Sequence, residues 1–414
     1  MYIKVYDNSF PFMNYLIYCL FFFLVYDIQF SFLPEWAKTR FIISLWGIMY
    51  FIFTKKKMPR VMWNFIMLGL GCILLCFFSS FINSHLNFWI IQHFALNCLI
   101  YLFASYFLTN ICYQNGWSLY DILKVIVYCI VVNNIFAISG LFYLPITDWI
   151  VSIQRMDIEF GDTLGRCNGF GPAGNYFGGG ATTGLGLILV IYLHVHKQFN
   201  LFLSVTLFIF LSFSGVTIAR TTLIGSLFSL FSLLFYSTNR NIKVKFLLWV
   251  STILISTYLL LYIFYSEEPV FKFAFEAFLN YENSGEVSTD STNALKSHWD
   301  RLPQTMTTWL IGDAEMRDGE GYYMHTDVGY LRLIFNYGIV GMLFFLVGLI
   351  FVLYDCAIKT RMETNKKKLL LLIYIYMLVL NVKGLVDSWN YLFVIFPLYY
   401  YFSYKFSHKN DFNE

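Results

Sequence analysis

Three ionisable residues crowd the start of a long apolar run late in the sequence. In HTDVGYLRLIFNYGIVG, residues 325–341, they are His325, Asp327 and Arg332. An ionisable group close to hydrocarbon is costly, and it is by default a functional group with a partner. His325 and Asp327 are the residue types that serve as a general base and the group that orients it. The alternative for Asp327 is that its carboxylate only caps the helix that follows.

Two further arginines stand at the ends of apolar runs. Arg166 precedes the segment GFGPAGN, and Arg220 lies in the short turn VTIARTTLIG. A lone arginine at a membrane interface often serves only as an anchor. Together with Arg332, however, these two lie on the less basic face of the protein and require an anionic partner. Phosphate suits them best because the guanidinium fork matches its oxygens in pairs. Arg301 is a weaker candidate that could pair with carboxylates of its own loop.

The segment around Arg166 is rich in glycine. Ten of the 26 glycines fall between Gly161 and Gly186. GFGPAG at 169–174 has the spacing of dinucleotide sites, but that motif needs a preceding strand and a βαβ unit, and both flanks here are apolar spans. Two compatible interpretations remain. One is close helix packing through small residues; the other is an irregular helix start whose free N–H groups, with Asn175 beside them, face an anion.

The composition of the chain indicates which kind of secondary structure positions these residues. The chain has 414 residues, of which 58% are apolar and 13% charged, and its mean hydropathy is +0.61. Soluble domains carry about 25% charged residues. Apolar runs of about 20 residues recur throughout, each long enough to cross a bilayer as a helix, and lipid excludes open, unpaired backbone. The sequence predicts an all-α polytopic membrane protein that forms a single integral membrane domain over 1–414.

Twelve membrane spans are predicted from these runs. They lie at 12–33, 40–54, 61–82, 89–112, 122–144, 169–193, 200–214, 221–238, 246–265, 328–353, 369–386 and 390–404. Between the ninth and tenth spans lies a large loop, 266–327. A second loop of interest, 145–168, ends next to Arg166.

Basic residues in the connections set the orientation of the spans. If the spans alternate, one side holds 17 of the 28 lysines and arginines and the other side holds 11. The large loop 266–327, on the second side, has twelve acidic and four basic residues. The basic side is therefore predicted to be cytoplasmic, with both termini on it. The loops 145–168 and 266–327 are predicted to face the cell exterior or periplasm.

No motif indicates a metal or a cofactor. No cysteine or histidine spacing matches a structural zinc site, and only Cys167 lies clearly on the outer side. HVH at 194–196 is expected to add interfacial polarity, and HWDR at 298–301 to stabilise a loop helix locally. Lys383 and Asp387 are four residues apart on one predicted helical face and could pair. Neither a cofactor nor a nucleic-acid partner is predicted.

Together these features resemble the bacterial O-antigen ligase and polymerase superfamily of polysaccharide assembly. The resemblance rests on twelve spans, a long outer loop late in the chain, and three segments: DVGYLRLIFNYGIVG, RCNGFGPAGN and VTIARTTLIG. It covers about residues 120–400. It implies an architecture like that of the GT-C membrane glycosyltransferases. The two arginines with which the family holds a lipid diphosphate match Arg166 and Arg220.

One position separates the ligases from the polymerases. Ligases place a histidine eleven residues before the first glycine of a GxxG segment, and here that position is occupied by Asp327. The sequence is closer to the acidic DxGY variant of the polymerases, which makes Tyr330 a further substrate contact. Either His325 or Asp327 could be the base. Arg301 followed by Gly312 fits the RX10G spacing of polymerase loops.

The resemblance implies a metal-independent glycosyl transfer outside the bacterial inner membrane, in O-antigen or lipopolysaccharide biosynthesis. A glycan on undecaprenyl diphosphate would be transferred to the non-reducing end of a lipid-linked repeat unit. The expected partners are undecaprenyl-diphosphate-linked oligosaccharide, the lipid bilayer and a membrane protein that regulates chain length. The alternatives are a ligase that transfers the glycan to lipid A core, a flippase or transporter, which would bury charges at mid-membrane, and a scaffold without catalysis.

Overall fold

A computed structural model describes residues 11–55, 58–84, 95–155, 166–236, 240–265, 268–286, 288–318, 321–359, 362–386 and 391–399. In chain order, the helices of this part are α1 Pro11–Tyr26, α2 Thr39–Thr54, α3 Arg60–Ile82, α4 Leu102–Gln114, α5 Leu119–Phe142, α6 Leu144–Ile153, α7 Tyr176–Val195, α8 Leu201–Ile218, α9 Thr222–Tyr236, α10 Arg240–Tyr265, α11 Pro269–Ser284, α12 Asp290–Trp299, α13 Met306–Ile311, α14 Gly329–Lys359, α15 Thr364–Leu380 and α16 at 392–399. A π-helical stretch, Ala95–Tyr101, precedes α4.

Each predicted span overlaps one of these helices. Among the described residues, five helices are long and apolar enough to cross a bilayer: Arg60–Ile82, Leu119–Gly140, Tyr176–Val195, Leu201–Ile218 and Gly329–Asp355. Helices of this length and composition satisfy their own backbone polar groups, which hydrocarbon cannot do. The chain is therefore a helical membrane protein.

The first predicted span ends earlier than expected, at Tyr26 rather than at 33. Asp27 adopts a positive φ of 47° and turns the chain. The buried side chain of Arg40 donates to the carbonyl oxygens of Leu24 and Val25, at 3.1 and 3.2 Å. These carbonyls are among the unsatisfied groups of the helix C-terminus. Arg40, 14 positions after Tyr26, thus stabilises the end of α1. The length of an apolar run gives no indication of such a contact.

Helix α7 lies at the centre of the bundle, and every residue from Gly179 to Leu193 is buried. It packs closely against α9. A Cβ added to Gly184 would lie 2.9 Å from the Cα of Gly225. The predicted close helix packing through small residues is confirmed for this part of the glycine-rich segment.

Helix α14 is broken inside the apolar run. Tyr337 (φ −142°, ψ 23°) and Gly338 (φ 69°, ψ 179°) leave the helical conformation. The loop following α13 enters the break, where Asp313 donates its backbone N–H to the carbonyl of Phe335 at 2.7 Å. Ser79 of α3 donates to the carbonyls of Gly312 and Asn336 at 3.4 Å. The insertion satisfies backbone groups that the break would otherwise leave unpaired.

The loop 266–327 is folded over its described residues. It holds α11, α12 and α13, followed by a two-residue hairpin of β1 (Arg317–Asp318) and β2 (Gly321–Tyr322). The loop 145–168 contains α6, and its residues 156–165 lie outside the described part.

Contacts among the helix ends define two ends of the bundle. At one, which we call the loop end, Arg166 and the α8–α9 turn contact α11. At the same end, Asp327, just before α14, contacts α12, and the start of α14 contacts the turn at 381–386. At the other, the far end, the end of α7 lies beside the starts of α5 and α15. The ionisable residues singled out by sequence lie at the loop end.

Candidate functional site

Two arginines that are 54 positions apart in sequence lie side by side at the loop end. The backbone N–H of Cys167 donates to the carbonyl of Thr217 at 3.1 Å, which ties the segment before α7 to the end of α8. As a result, the Arg166 and Arg220 guanidiniums lie 4.6 and 4.3 Å from the centroid of one ring, Phe273 of α11. Burial, followed by the neighbouring Arg220 charge, lowers the pKa of Arg166 below its usual value. The two cations are thus held close together against their mutual repulsion.

Glu276 of α11 partners one of these arginines. Its Oε2 forms an ion pair with Arg220, and both side chains are largely shielded from solvent. Its Oε1 accepts the backbone N–H of Asp290 at 2.6 Å, which joins α11 to the start of α12. Arg166 forms no ion pair within the part of the chain that the structure describes. Glu276 and Phe273 were not predicted as site residues, because only the folded loop brings them to the arginines.

A third cation, Lys383, completes this group. It lies in the turn after α15, within electrostatic range of Arg220, Arg166 and Asp327. We call Arg166, Arg220 and Lys383 the cation cluster. The position of Lys383 at the outer end of a predicted span could have identified it by the argument used for the arginines. Its predicted partner, Asp387, lies outside the described residues.

The glycine-rich loop before α7 satisfies its own backbone. The N–H groups at 169–171 are accepted, in order, by the side chains of Asn175, Asn133 and Gln154 at 2.7 to 2.8 Å. Asn175 is buried and also donates to two carbonyls of this loop. The N–H groups at 169–171 are therefore not free to face an anion. Asn175 gives the start of α7 no side-chain cap, and an anion site at that helix start stays a prediction. The Asn175 amide holds the loop in place and is not presented to a substrate.

Asp327 is exposed and is held through its backbone by an unexpected histidine. Its Oδ2 lies 3.8 Å from Nδ1 of His298, at the end of α12, and its backbone N–H donates to the same nitrogen at 3.3 Å. The predicted partner, His325, is exposed, and its imidazole makes no hydrogen bond or ion pair with any described residue. The expected partner of Asp327, His325, is therefore replaced by His298, which contacts the backbone N–H of Asp327. HWDR at 298–301 therefore does more than stabilise its helix.

The start of α14 shows whether Asp327 acts as a helix cap. The backbone N–H of Val328 donates to Thr326 Oγ1 at 3.3 Å, and that of Tyr330 donates to the carbonyl of Asn381 at 3.2 Å. Among the described residues, no N–H of the first turn donates to the Asp327 carboxylate. The alternative that Asp327 is only an N-cap is therefore not supported, and the carboxylate remains available.

Arg332 lies beyond Asp327, away from the cation cluster. Its guanidinium stacks on Tyr322 of the hairpin, 3.7 Å from the ring centroid. It is within electrostatic range of Asp327 and Arg317. Its Nε is buried and has no hydrogen-bond partner within the described ranges. Of the three predicted phosphate-binding arginines, two therefore stand together and the third flanks the carboxylate.

The two weaker site candidates, Tyr330 and Arg301, form hydrogen bonds within the protein. The Tyr330 hydroxyl donates to the carbonyl of Leu378 in α15 at 2.7 Å. Arg301 donates to the carbonyls of Met324 and His325 rather than to loop carboxylates, as had been expected. Met324 and His325 both have positive φ values. Arg301 thus holds the strained backbone just before Asp327 in place.

The arrangement is suited to binding an anion beside a proton acceptor. The cation cluster carries three positive charges, and Glu276 and Asp327 carry one negative charge each, which leaves a net charge of plus one among these five residues. The described residues contain no group of three or more histidines, cysteines or carboxylates that could hold a metal ion. No family model, curated protein or solved structure matches the chain.

Proposed function

We propose that this protein is a polysaccharide polymerase of the O-antigen type. It transfers a growing glycan from undecaprenyl diphosphate to the non-reducing end of a lipid-linked repeat unit. The observation that carries the proposal is that Arg166 and Arg220 lie against one ring at the loop end. Lys383 and the carboxylate of Asp327 lie at the same end of the bundle. Cations for a diphosphate leaving group and a base for a hydroxyl acceptor are the two requirements of this transfer.

The charge balance supports a diphosphate as the anion. A diphosphate esterified at both ends carries about two negative charges, which equals the two positive charges, on Arg166 and Lys383, that form no ion pair among the described residues. When the acceptor hydroxyl attacks the anomeric carbon, the bond from that carbon to the phosphate oxygen breaks and its electron pair stays on the phosphate. The hydroxyl proton passes to Asp327. Undecaprenyl diphosphate leaves with one more negative charge, which the cations stabilise.

The proposed function requires a defined number of membrane spans and a defined orientation of the chain in the membrane. All twelve helices that overlap the predicted spans cross the bacterial inner membrane, in an architecture like that of the GT-C glycosyltransferases. The loop end faces the periplasm, with the 266–327 and 145–168 loops, and both termini are cytoplasmic. The grouping of helix ends supports this alternation. A chain-length regulator is the proposed protein partner.

Complementation in cells tests this function. In a bacterial strain that lacks its own O-antigen polymerase and makes a compatible repeat unit, the parent chain should restore a ladder of glycan lengths. Asp327→Asn should abolish the ladder, since an amide cannot accept the proton. The matched control is Asp318→Asn, an exposed carboxylate on β1 that should leave the ladder unchanged. At equal protein levels, a full ladder from Asp327→Asn would refute the role of this carboxylate.

A further inference from the structure

The turn that carries Lys383 is held by hydrogen bonds within the turn and by contacts with the starts of α14 and α7. Within the turn, the Asn381 side chain donates to the carbonyl of Val386 at 2.6 Å and accepts its N–H at 3.1 Å. The carbonyl of Asn381 also accepts the Tyr330 N–H at the start of α14. On the side of α7, a Cβ added to Gly384 would lie 2.7 Å from the ring of Phe177. Lys383 is thus positioned by both helix starts that flank the site.

The charges around Lys383 leave it without a described partner. The nearby cations are Arg220 and Arg166, and the nearby anion is Asp327, with which Lys383 forms no ion pair. Among the described residues, Glu276 is the other carboxylate at the site, and it forms an ion pair with Arg220. Within the described part of the chain, Lys383 forms no ion pair. A partly buried ammonium beside two guanidiniums needs an anion to offset its repulsion and desolvation.

The position of Lys383 relative to the arginine pair and Asp327 indicates which phosphate each cation binds. Its turn contacts the start of α14, just after Asp327, through the Tyr330 N–H. It also contacts the start of α7, which follows Arg166, through Phe177. Lys383 therefore stands between the side of the site that carries the carboxylate and the side that carries the arginine pair. Resting on the function proposed above, we propose that Lys383 binds the sugar-linked phosphate of the donor, while Arg166 and Arg220 bind the lipid-linked phosphate. The bond that breaks joins the sugar to the first of these phosphates, so it must lie near the base.

In this position, Lys383 acts on the bond-breaking step. The negative charge that develops on bond cleavage appears on the oxygen of the sugar-linked phosphate. An ammonium fixed at that phosphate stabilises the developing charge more than it stabilises the bound donor. Removing the ammonium should therefore lower kcat more than it raises KM for the donor, and weaken binding of the diphosphate product.

Binding to two lipids tests the assignment without relying on turnover. The purified full-length protein, in nanodiscs, would be titrated with undecaprenyl diphosphate and with undecaprenyl monophosphate. Lys383→Gln should weaken diphosphate binding by about tenfold and change monophosphate binding little, because the arginines hold the phosphate that both lipids share. Lys383→Arg should restore most of the diphosphate affinity. Lys272→Gln, at an exposed position on α11, is the control.

The outcomes separate the two proposals. If the parent binds diphosphate and Lys383→Gln binds it as tightly as Lys272→Gln does, the assignment of Lys383 is wrong while the proposed function stands. An equal loss for both lipids places Lys383 with the arginines and also overturns its assignment. If the parent binds neither lipid, both proposals fail.

Discussion

His298 stands where the sequence argument placed His325. His325 is exposed, whereas Nδ1 of His298 accepts the backbone N–H of Asp327 and lies 3.8 Å from its carboxylate. His298 is 29 positions before Asp327, so no local spacing rule could have paired them. At the scale of single residues, we infer that His298 positions the carboxylate of Asp327.

Substituting the two histidines separates their roles. His298→Ala should lower the transfer rate by about 10- to 100-fold, because the support of Asp327 is lost. His298→Asn should keep much of the rate, since its side-chain oxygen can accept the same N–H. His325→Ala should leave the rate nearly unchanged. Initial rates of chain elongation in membranes with matched protein levels measure these effects, and a greater loss from His325→Ala than from His298→Ala would contradict this assignment.

The arginine pair depends on guanidinium geometry as well as on charge. Arg166→Lys and Arg220→Lys should each lower the transfer rate by about 100-fold, because a lysine cannot form two parallel hydrogen bonds to a phosphate. Arg155→Lys is the control, as Arg155 pairs with the exposed Glu35 at 3.0 Å. That control should retain nearly full activity. Activity near that of the parent in both variants would leave the two arginines as interfacial anchors.

At the scale of elements, the break in α14 connects the large loop to the membrane helices. A Cβ at Gly338 would lie 2.1 Å from the carbonyl oxygen of Leu310, and the residue has a φ of +69°. Gly312, also at positive φ, meets Gly338 across the same contact. The contact between α13 and the break in α14 therefore fixes the position of the large loop relative to the cation cluster.

Gly338→Ala should destabilise the protein through this contact. Its backbone (φ 69°, ψ 179°) lies in a region that is essentially restricted to glycine and costs alanine about 1–3 kcal/mol, and the clash with Leu310 adds to it. Gly116→Ala is the matched control, because Gly116 has a φ of +74° and nothing within 4 Å of an added Cβ. Thermal unfolding in detergent should show a larger decrease in Tm for Gly338→Ala. Equal decreases would mean that the loop does not press on the break.

Sequence predicted the helices well and their interruptions poorly. A run such as 61–82 is long and apolar, so its helix, Arg60–Ile82, follows from lipid chemistry alone. The end of α1 and the break in α14 depend on Arg40 and Asp313, which reach these points only in the folded chain. The same reason explains the site. Arg166 and Arg220 could be identified by charge at span ends, whereas Phe273, Glu276 and His298 are placed by the folding of the loop.

At the scale of the whole molecule, the orientation in the membrane is open to direct measurement. Asn283→Cys, at the exposed end of α11, should react with a membrane-impermeant maleimide in intact cells whose outer membrane is permeable to the reagent. Lys367→Cys, at the start of α15, should react only after the inner membrane is disrupted. The parent chain gives the background. Burial raises the pKa of Cys167 to about 11, so its thiol stays protonated and unreactive near neutral pH. The reverse labelling pattern would invert the topology.

The most direct test of the central claim is a reaction of the purified protein with lipid-linked repeat units, followed by gel separation of the glycans. We predict a ladder of lengths together with release of undecaprenyl diphosphate, and loss of both in Asp327→Asn but not in Asp318→Asn. Transfer only onto added lipid A core would instead identify a ligase. Unchanged substrate from protein that still binds undecaprenyl diphosphate would contradict the claim that this site transfers glycans.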